Sequence, residues 1–600
     1  MPKILLLLSC LILASPAFAQ DALSGAGDPN GFAGCSKAGM VYLDNSTGAI
    51  WHCITPGSKT WYGSGVGPSS NIVKVAEDYS GADFSDQIQA AQDASPVGGT
   101  ILITESHTMT GSADLDQPNT TITCAPDVTI TQGGAAQTTF SITAANNTIR
   151  DCRFDGKKNT VAATWVKIGV DADGTKLLRN TVHDYRTKGV LLDPASLGTL
   201  IEDVTIEGNR IDNTLDATGV VVTGDLIGAN LSANVANLRI VDNTLVSRDS
   251  GGDPFFLFAG IGSKDIIIRG NTMEAGGRDA GVTATGCMEF AVANGAAISH
   301  PADYMTGAEI SGNTCTTYDF VEQGFGIGMM RGGTFSNNVY THLGATAGYP
   351  SIDALEIGNL VDVAITGNTF ISPKGNAVSI HAAQYVTFSG NVVEHGHLAS
   401  TGSGVRILQD PPSANHLQST EHIAITGNIF KPEAAASGIS LYPLRIYCDG
   451  TDLAGMFIDD VVVTGNSFVG TGSPGGGALS AAVGLHQQGT QGNCTIGKVV
   501  VQDNNIDSFD HQLWTNNHIF TDTTLKDNRA TNIAVSPILV GNAASTGFYV
   551  KGEGAEPPIT AAQCAVGSLW VDTVLGGALC ATAAVGDLCS CSPGVAWAVH

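Results

Sequence analysis

An asparagine recurs down the middle of this chain inside a short, nearly constant setting. The pattern is Ile365-Thr366-Gly367-Asn368-Thr369-Phe370, and variants of it centre on Asn209, Asn243, Asn271, Asn313, Asn338, Asn391, Asn428, Asn466, Asn504 and Asn528. The shortest intervals, Asn368 to Asn391, Asn504 to Asn528 and Asn313 to Asn338, are 23, 24 and 25 residues. Intervals of 37 and 38 residues, before Asn428 and Asn466, are the same unit with an inserted loop. A repeat of this length means a solenoid, in which each unit buries its apolar face only against its neighbours. The unit is built of strands: apolar residues alternate around each Gly-Asn turn, and two helices would not fit into so short a coil. Gly and Asn accept the left-handed backbone of a sharp corner, and Asn side chains stacked at that corner hydrogen-bond from coil to coil.

A second strand precedes the asparagine in each coil and opens on Gly or Ala. Examples are Gly189-Val190-Leu191-Leu192, the runs from Gly219 and Gly326, Ala354-Leu355-Glu356-Ile357, and the runs from Ala377, Gly404, Gly438 and Ala482. Strand, loop, strand, Asn turn, strand is the layout of a right-handed parallel β-helix. The expected fold is therefore all-β: one such solenoid with an N-terminal capping helix and small flanking β modules. The expected divisions are a signal peptide over 1–19, a small β module over 20–70, the β-helix over 71–540 and a C-terminal β module over 541–600.

The signal peptide is read from Lys3, the apolar run Ile4 to Ala14 and the small-x-small site Ala17-Phe18-Ala19. Export agrees with the cysteines: thirteen are present, and setting aside Cys10 leaves an even number. Pairing is expected for Cys35 with Cys53, for Cys124 with Cys152, among Cys564, Cys580, Cys589 and Cys591, and more weakly for Cys448 with Cys494. The formal net charge of −27, from 28 Lys plus Arg against 55 Asp plus Glu, excludes a nucleic-acid binder, which needs a basic footprint. It also repels polyanionic sugars unless a cation bridges them, so Ca2+ stays open while no other cofactor is expected. Asp171-Ala172-Asp173-Gly174 lacks the remaining ligands of a calcium loop and is read as a turn. No later stretch is apolar and long enough to span a membrane.

From Asp83 to Ser106 the chain reads as a short helix, with Ser85 as N-cap and Ile88 and Ala91 on one apolar face, followed by a first strand from Thr100 to Ile103. This segment resembles the entry of the pectate-lyase-like (pectin-lyase-like) β-helix superfamily, where a helix plugs the first coil. With the asparagine repeats, the resemblance covers about residues 72 to 540. It implies the fold and leaves the activity open, because that superfamily includes lyases, glycoside hydrolases, epimerases, tailspikes and non-catalytic adhesins. It also implies that a groove lies along the outer face of the first strand of each coil.

Alternation assigns that face. Leu355 and Ile357 point inward and Glu356 outward, and by the same rule Ser379, Arg406, Ser440 and Gly484 share the outward column, with Gly328 one coil upstream and Glu289 two. The next column is expected to hold Ala291, Met330, Gly358, His381, Leu408, Tyr442 and His486. Two chemistries follow. Glu289 and Glu356, about 9.6 Å apart at two rungs of the stack, suit an inverting glycosidase. Glu356, His381 and Arg406 suit a β-elimination on a uronate, with Tyr442 as leaving-group acid. Arg331, just past the strand, and His486 are expected to contact substrate. Insertions at 249–258, 295–306, 409–420 and 442–456 are expected to wall the groove. Equally, a solenoid's outward residues must be polar in any case, and stacked charges commonly form only surface ion pairs. Two functions therefore remain: an enzyme acting on an extracellular polysaccharide as lyase or glycosidase, or a non-catalytic polysaccharide-binding adhesin, tailspike-like or structural. An oligomer is compatible with either.

Overall fold

The computed structural model describes residues 73–533 apart from loop segments, the longer of which are 214–223, 278–285, 293–300, 344–352, 396–402, 410–416, 433–439, 450–455 and 473–479. Beyond that span it describes only strand segments, so the signal peptide and the Cys35–Cys53 and C-terminal cysteine pairings lie outside the described residues.

Each coil is a polygon of short parallel strands. In one coil the chain runs extended from Asp353 to Thr366, bends at Asn359 and Asp362, turns at Gly367-Asn368, and runs on through Thr369–Ser372. The next coil repeats this with Val378–Ser389 and Val392–His395, paired in parallel register residue for residue. The fold is the expected parallel β-helix, and the strand after the Asn turn forms its own 15-stranded sheet. Alternation fills the interior: Leu355, Ile357, Ile365 and Phe370 are fully buried. Rings from the two sides of the Asn turn pack on one another inside the coil stack, Phe370 against Phe335 at 6.3 Å and against Phe388 at 6.4 Å, and the equivalent Phe430 and Phe468 stack at 4.7 Å.

The Asn corner holds the coils in register. The Asn338 backbone N–H and side-chain Nδ2 both donate to Asn368 Oδ1, at 2.8 and 3.1 Å. Asn368 Nδ2 donates to the Phe335 carbonyl at 3.0 Å and to Asn391 Oδ1 at 2.9 Å. The left-handed residue is the one before the ladder Asn: Gly367 has φ 66°, and Asp242, Asn337 and Asp503 take the same conformation elsewhere. The ladder begins one coil earlier than the repeat indicates, at Asn180, which accepts from the Cys152 N–H and donates to Asn209. Arg179-Asn180-Thr181-Val182 carries the same signal in a weaker form.

The N-terminal plug is the helix Phe84–Asp93, with Ile88 and Ala91 fully buried in the core. Its N-cap is Asp83 and not Ser85. Asp83 accepts from the Ser85 N–H and hydroxyl, and Asp86 reaches back to the Asp83 N–H, closing a capping box. The carboxylate is the better acceptor, so it takes the cap and leaves Ser85 inside the first turn.

Among the described residues three disulfides tie the coils: Cys124–Cys152, Cys448–Cys494 and Cys287–Cys315. The last was not expected. Its separation of 28 residues equals that of Cys124–Cys152, which is the signal that could have found it. No described helix is long and apolar enough to cross a membrane.

Replacing Asn368 by Ala would strip the Asn338 N–H of its acceptor and the Phe335 carbonyl of a donor, both buried. We expect a loss of about 3 kcal/mol, read as a lowered denaturant midpoint in urea unfolding.

Candidate functional site

The register of the first strands fixes the outward columns directly. One column runs Phe256, Glu289, Gly326, Glu356, Ser379, Arg406, Arg445, Gly484, Trp514 on successive rungs. The next runs Gly328, Gly358, His381, Leu408, Tyr447, His486, Asn516.

Glu289, Glu356, Ser379, Arg406, His381 and His486 thus stand in the columns assigned from alternation. Other members differ. Gly326, not Gly328, separates Glu289 from Glu356. Met330 is buried and pairs with Leu360. Arg445 and Tyr447 take the places expected for Ser440 and Tyr442. The cause is local. Two apolar runs, Gly438-Ile439-Ser440-Leu441 and Leu444-Arg445-Ile446-Tyr447, compete for one rung, and the strand forms over Tyr442–Asp449. That segment is therefore strand where an insertion loop was expected. Tyr442 pairs with Ser403 upstream of the column and stacks on Trp514 at 4.9 Å. Burial raises the pKa of its hydroxyl. Arg331 lies past the left-handed corner at Met329, in register with Val361 and away from the Glu356 column. Of the expected walling loops, 295–300, 410–416 and 450–455 lie outside the described residues, while the stretch expected as an insertion at 249–258 runs into a strand at Phe255–Ala259.

The two glutamates have different surroundings. Burial, then the charges of Glu356, Glu322 and Asp225, push the Glu289 carboxyl up to about 6. Glu356 is about half exposed, at 49 % of its side chain, and its Oε1 lies 3.6 Å from His381 Nε2. Between them the Gly326 rung projects no side chain. A Cβ there would collide with the amide of Gln323, a residue only 8 % exposed. The Gln323 amide therefore lies over the rung that separates the two carboxylates. Alternation does not find Gln323, because it reaches the column from three residues upstream. The glycine is the signal: only a residue without Cβ lets that amide lie down.

Downstream the column changes sign. Arg406 Nη2 donates to Ser379 Oγ at 3.2 Å and sits 3.8 Å from Asp353 Oδ2. Asp353 also accepts from Ser379 Oγ at 2.6 Å and from Asn376 Nδ2 at 3.1 Å. One rung on, the Arg445 guanidinium lies 4.2 Å above the Tyr447 ring and hydrogen-bonds His486, which packs against Tyr447 and Trp514 at 5.2 Å each. Acid, base and ring therefore follow one another along the axis. Among the described residues no group of three or more His, Cys, Asp or Glu side chains is arranged to hold a metal ion. Asp173 instead accepts from the Glu202 N–H, within the turn read from sequence.

No family model and no curated protein matches this chain. Among solved structures, it is similar to PfbA, a surface adhesin of Streptococcus pneumoniae, at 13 % identity over 57 % of this chain and 93 % of that one, TM-score 0.41. It is similar to the A-module of the Azotobacter vinelandii mannuronan C-5 epimerase AlgE6 at 14 % identity over 78 % and 98 %, TM-score 0.35. The Dettilon tailspike protein gives 13 % identity over 68 % of each chain, TM-score 0.30. These are likenesses of winding, and no residue of the site is assigned from them.

The Glu289 carboxyl is harder to ionise folded than unfolded, so its contribution to stability is full below its ordinary value of 4.5 and is lost as pH rises through about 6. Glu289→Gln should therefore raise the melting temperature at pH 8 and leave it nearly unchanged at pH 4, as measured by calorimetry at both pH values.

Proposed function

We propose that this is an exported carbohydrate-active enzyme that hydrolyses a glycosidic bond of an extracellular polysaccharide along the outer face of its first strands. The helix-plugged entry and the Asn ladder support placing it with the pectate-lyase-like superfamily. One observation carries the catalytic reading. Two electrostatically coupled carboxylates share a column, separated by the Gly326 rung over which the Gln323 amide lies, and the deeper one has its pKa raised toward neutrality.

In this scheme Glu289, protonated, gives its proton to the leaving-group oxygen as the glycosidic C–O bond breaks. Glu356, ionised and held by His381, takes a proton from the water whose oxygen bonds the anomeric carbon from the opposite face. Two rungs put the carboxylates about 9.6 Å apart along the axis, at the upper limit of the inverting range. Gln323, over the intervening rung, is placed to hydrogen-bond a sugar hydroxyl. Arg406, Arg445 and His486 line the downstream path of the polymer. The scheme uses no metal.

A β-elimination draws less support. The Arg406 guanidinium is engaged by Asp353 and Ser379, and a guanidinium makes a poor base. The second reading, a non-catalytic adhesin or tailspike-like protein, draws on the Tyr447–Arg445–His486–Trp514 stack, since rings and guanidinium groups can hold a glycan without cleaving it.

Incubation with a polysaccharide panel, following reducing ends and unsaturated-product absorbance separately, is expected to give reducing ends alone, with an inverted anomer by NMR. Glu289→Gln and Glu356→Gln should each lower kcat by about 10³-fold, and His381→Ala by about 10²-fold. The rate, kcat/KM, should fall above about pH 6 as Glu289 ionises, and a chelator should leave it unchanged. Unsaturated products would favour elimination, and no product from any glycan would favour the adhesin.

A further inference from the structure

On another face, beyond the corner that follows the first strands, nine coils turn through one left-handed residue. In successive coils these are Asp203, Asn237, Asp265, Gly307, Gly332, Asp362, Tyr385, His422 and Asp460, with φ between 50° and 68°. Flanking pairings keep the later ones in register, through Arg331, Val361, Gln384, Glu421 and Asp459 on one side and Gly333, Val363, Val386, Ile423 and Val461 on the other. Gly, Asn, Asp and His are the residues that accept this conformation most readily; a tyrosine is not among them. Two consecutive coils nonetheless place rings there, and strain of this kind gathers at functional positions.

The rings are held, not loose. Tyr385 stacks on His422 with centroids 4.6 Å apart and planes 19° from parallel. His422 Nδ1 is 2.7 Å from Asp460 Oδ2, and Lys498 Nζ donates to Asp460 Oδ1 at 2.7 Å. One face of the Tyr385 ring is thus covered from the downstream side, while the residue as a whole remains 54 % exposed. On the upstream side the corner offers the short Asp362 and then Gly332, with no side chain. The result is a shallow pocket of about 440 Å³ bounded by Tyr385, Asp362, Gly332, Thr334 and Thr387.

We propose that this pocket is an auxiliary binding site for a neutral hexopyranose unit of a glycan, separate from the Glu289–Glu356 column. The negative face of the tyrosine ring attracts the C–H bonds on the apolar face of a pyranose. The Thr334 and Thr387 hydroxyls and the Asp362 carboxylate supply hydrogen-bonding groups to the sugar's rim. Asp362 is the charged side chain among the lining residues, so a uronate or sulfated unit meets repulsion there and a neutral sugar does not.

The test is affinity electrophoresis of the full chain through gels containing soluble xyloglucan, galactomannan, mixed-linkage glucan or polygalacturonate. Glu289→Gln is used as the background so that turnover cannot erase the signal. At least one neutral polymer is expected to retard migration, and polygalacturonate is expected not to act through this pocket. Tyr385→Asn keeps a residue that accepts the left-handed backbone, so the coil should fold with an unchanged melting temperature, yet its affinity should drop about tenfold or more. Tyr385→Phe should bind within about twofold of the parent, because the ring face is kept. The proposal is overturned if no neutral polymer retards the protein, if Tyr385→Asn binds as tightly as the parent, or if Tyr385→Asn abolishes retardation by polygalacturonate instead. It is also overturned if sedimentation shows that Tyr385→Asn breaks an oligomer, because the ring would then be covered by a second copy. These outcomes do not depend on whether the Glu289–Glu356 column is catalytic.

Discussion

A carboxamide has one acceptor and two donors, and this fold uses that stoichiometry once per coil. Each ladder Asn accepts from the backbone and side chain of the Asn before it and donates onward to the Asn after it and to a carbonyl of the preceding coil. Apart from the part-buried last step at Asn504–Asn528, these atoms are buried, so a missed partner costs the full desolvation of the group. The amide ladder therefore does more than decorate a corner. It sets the axial position of each strand against the next, and one-residue slips, which would turn the apolar face outward, are excluded. Every column on the outer surface takes its alignment from this chain of amides.

The column of Glu289 and Glu356 shows what alignment alone can do to chemistry. Burial first, and then repulsion from Glu356 and two further acids, makes the deeper Glu289 hold its proton toward neutral pH. The shallower one keeps a histidine at 3.6 Å. Further along, Arg406 is balanced by Asp353, and Arg445 by ring faces. In a chain of net charge −27, two arginines thus stand on consecutive rungs downstream of the acidic ones.

The winding was legible because it rests on one residue type at one corner. The outward parity of Glu289, Glu356, His381 and Arg406 was legible for the same reason, since period two follows from the strand itself. What escaped was anything decided between coils. Around Gly438 to Tyr447 two apolar runs could each serve as the strand, and only packing on the neighbouring coil chooses, so Arg445 and Tyr447 were displaced by Ser440 and Tyr442. Gln323 escaped because its side chain lies along the strand over Gly326, where period-two reasoning places nothing. Tyr385 escaped because a left-handed tyrosine contradicts local preference, and its corner is visible only once the coils are stacked.

The ladder is indifferent to how much chain separates its members. Asn368 reaches Asn391 after 23 residues and Asn271 reaches Asn313 after 42, yet the amide contacts are 2.9 Å in both. Spacing along the axis is therefore uncoupled from contour length. Segments can be lengthened, shortened or exchanged between neighbouring rungs while the stack keeps its pitch. Such a scaffold can change what it recognises by retailoring its fringe, and a designer could graft new edges onto it without reworking the interior.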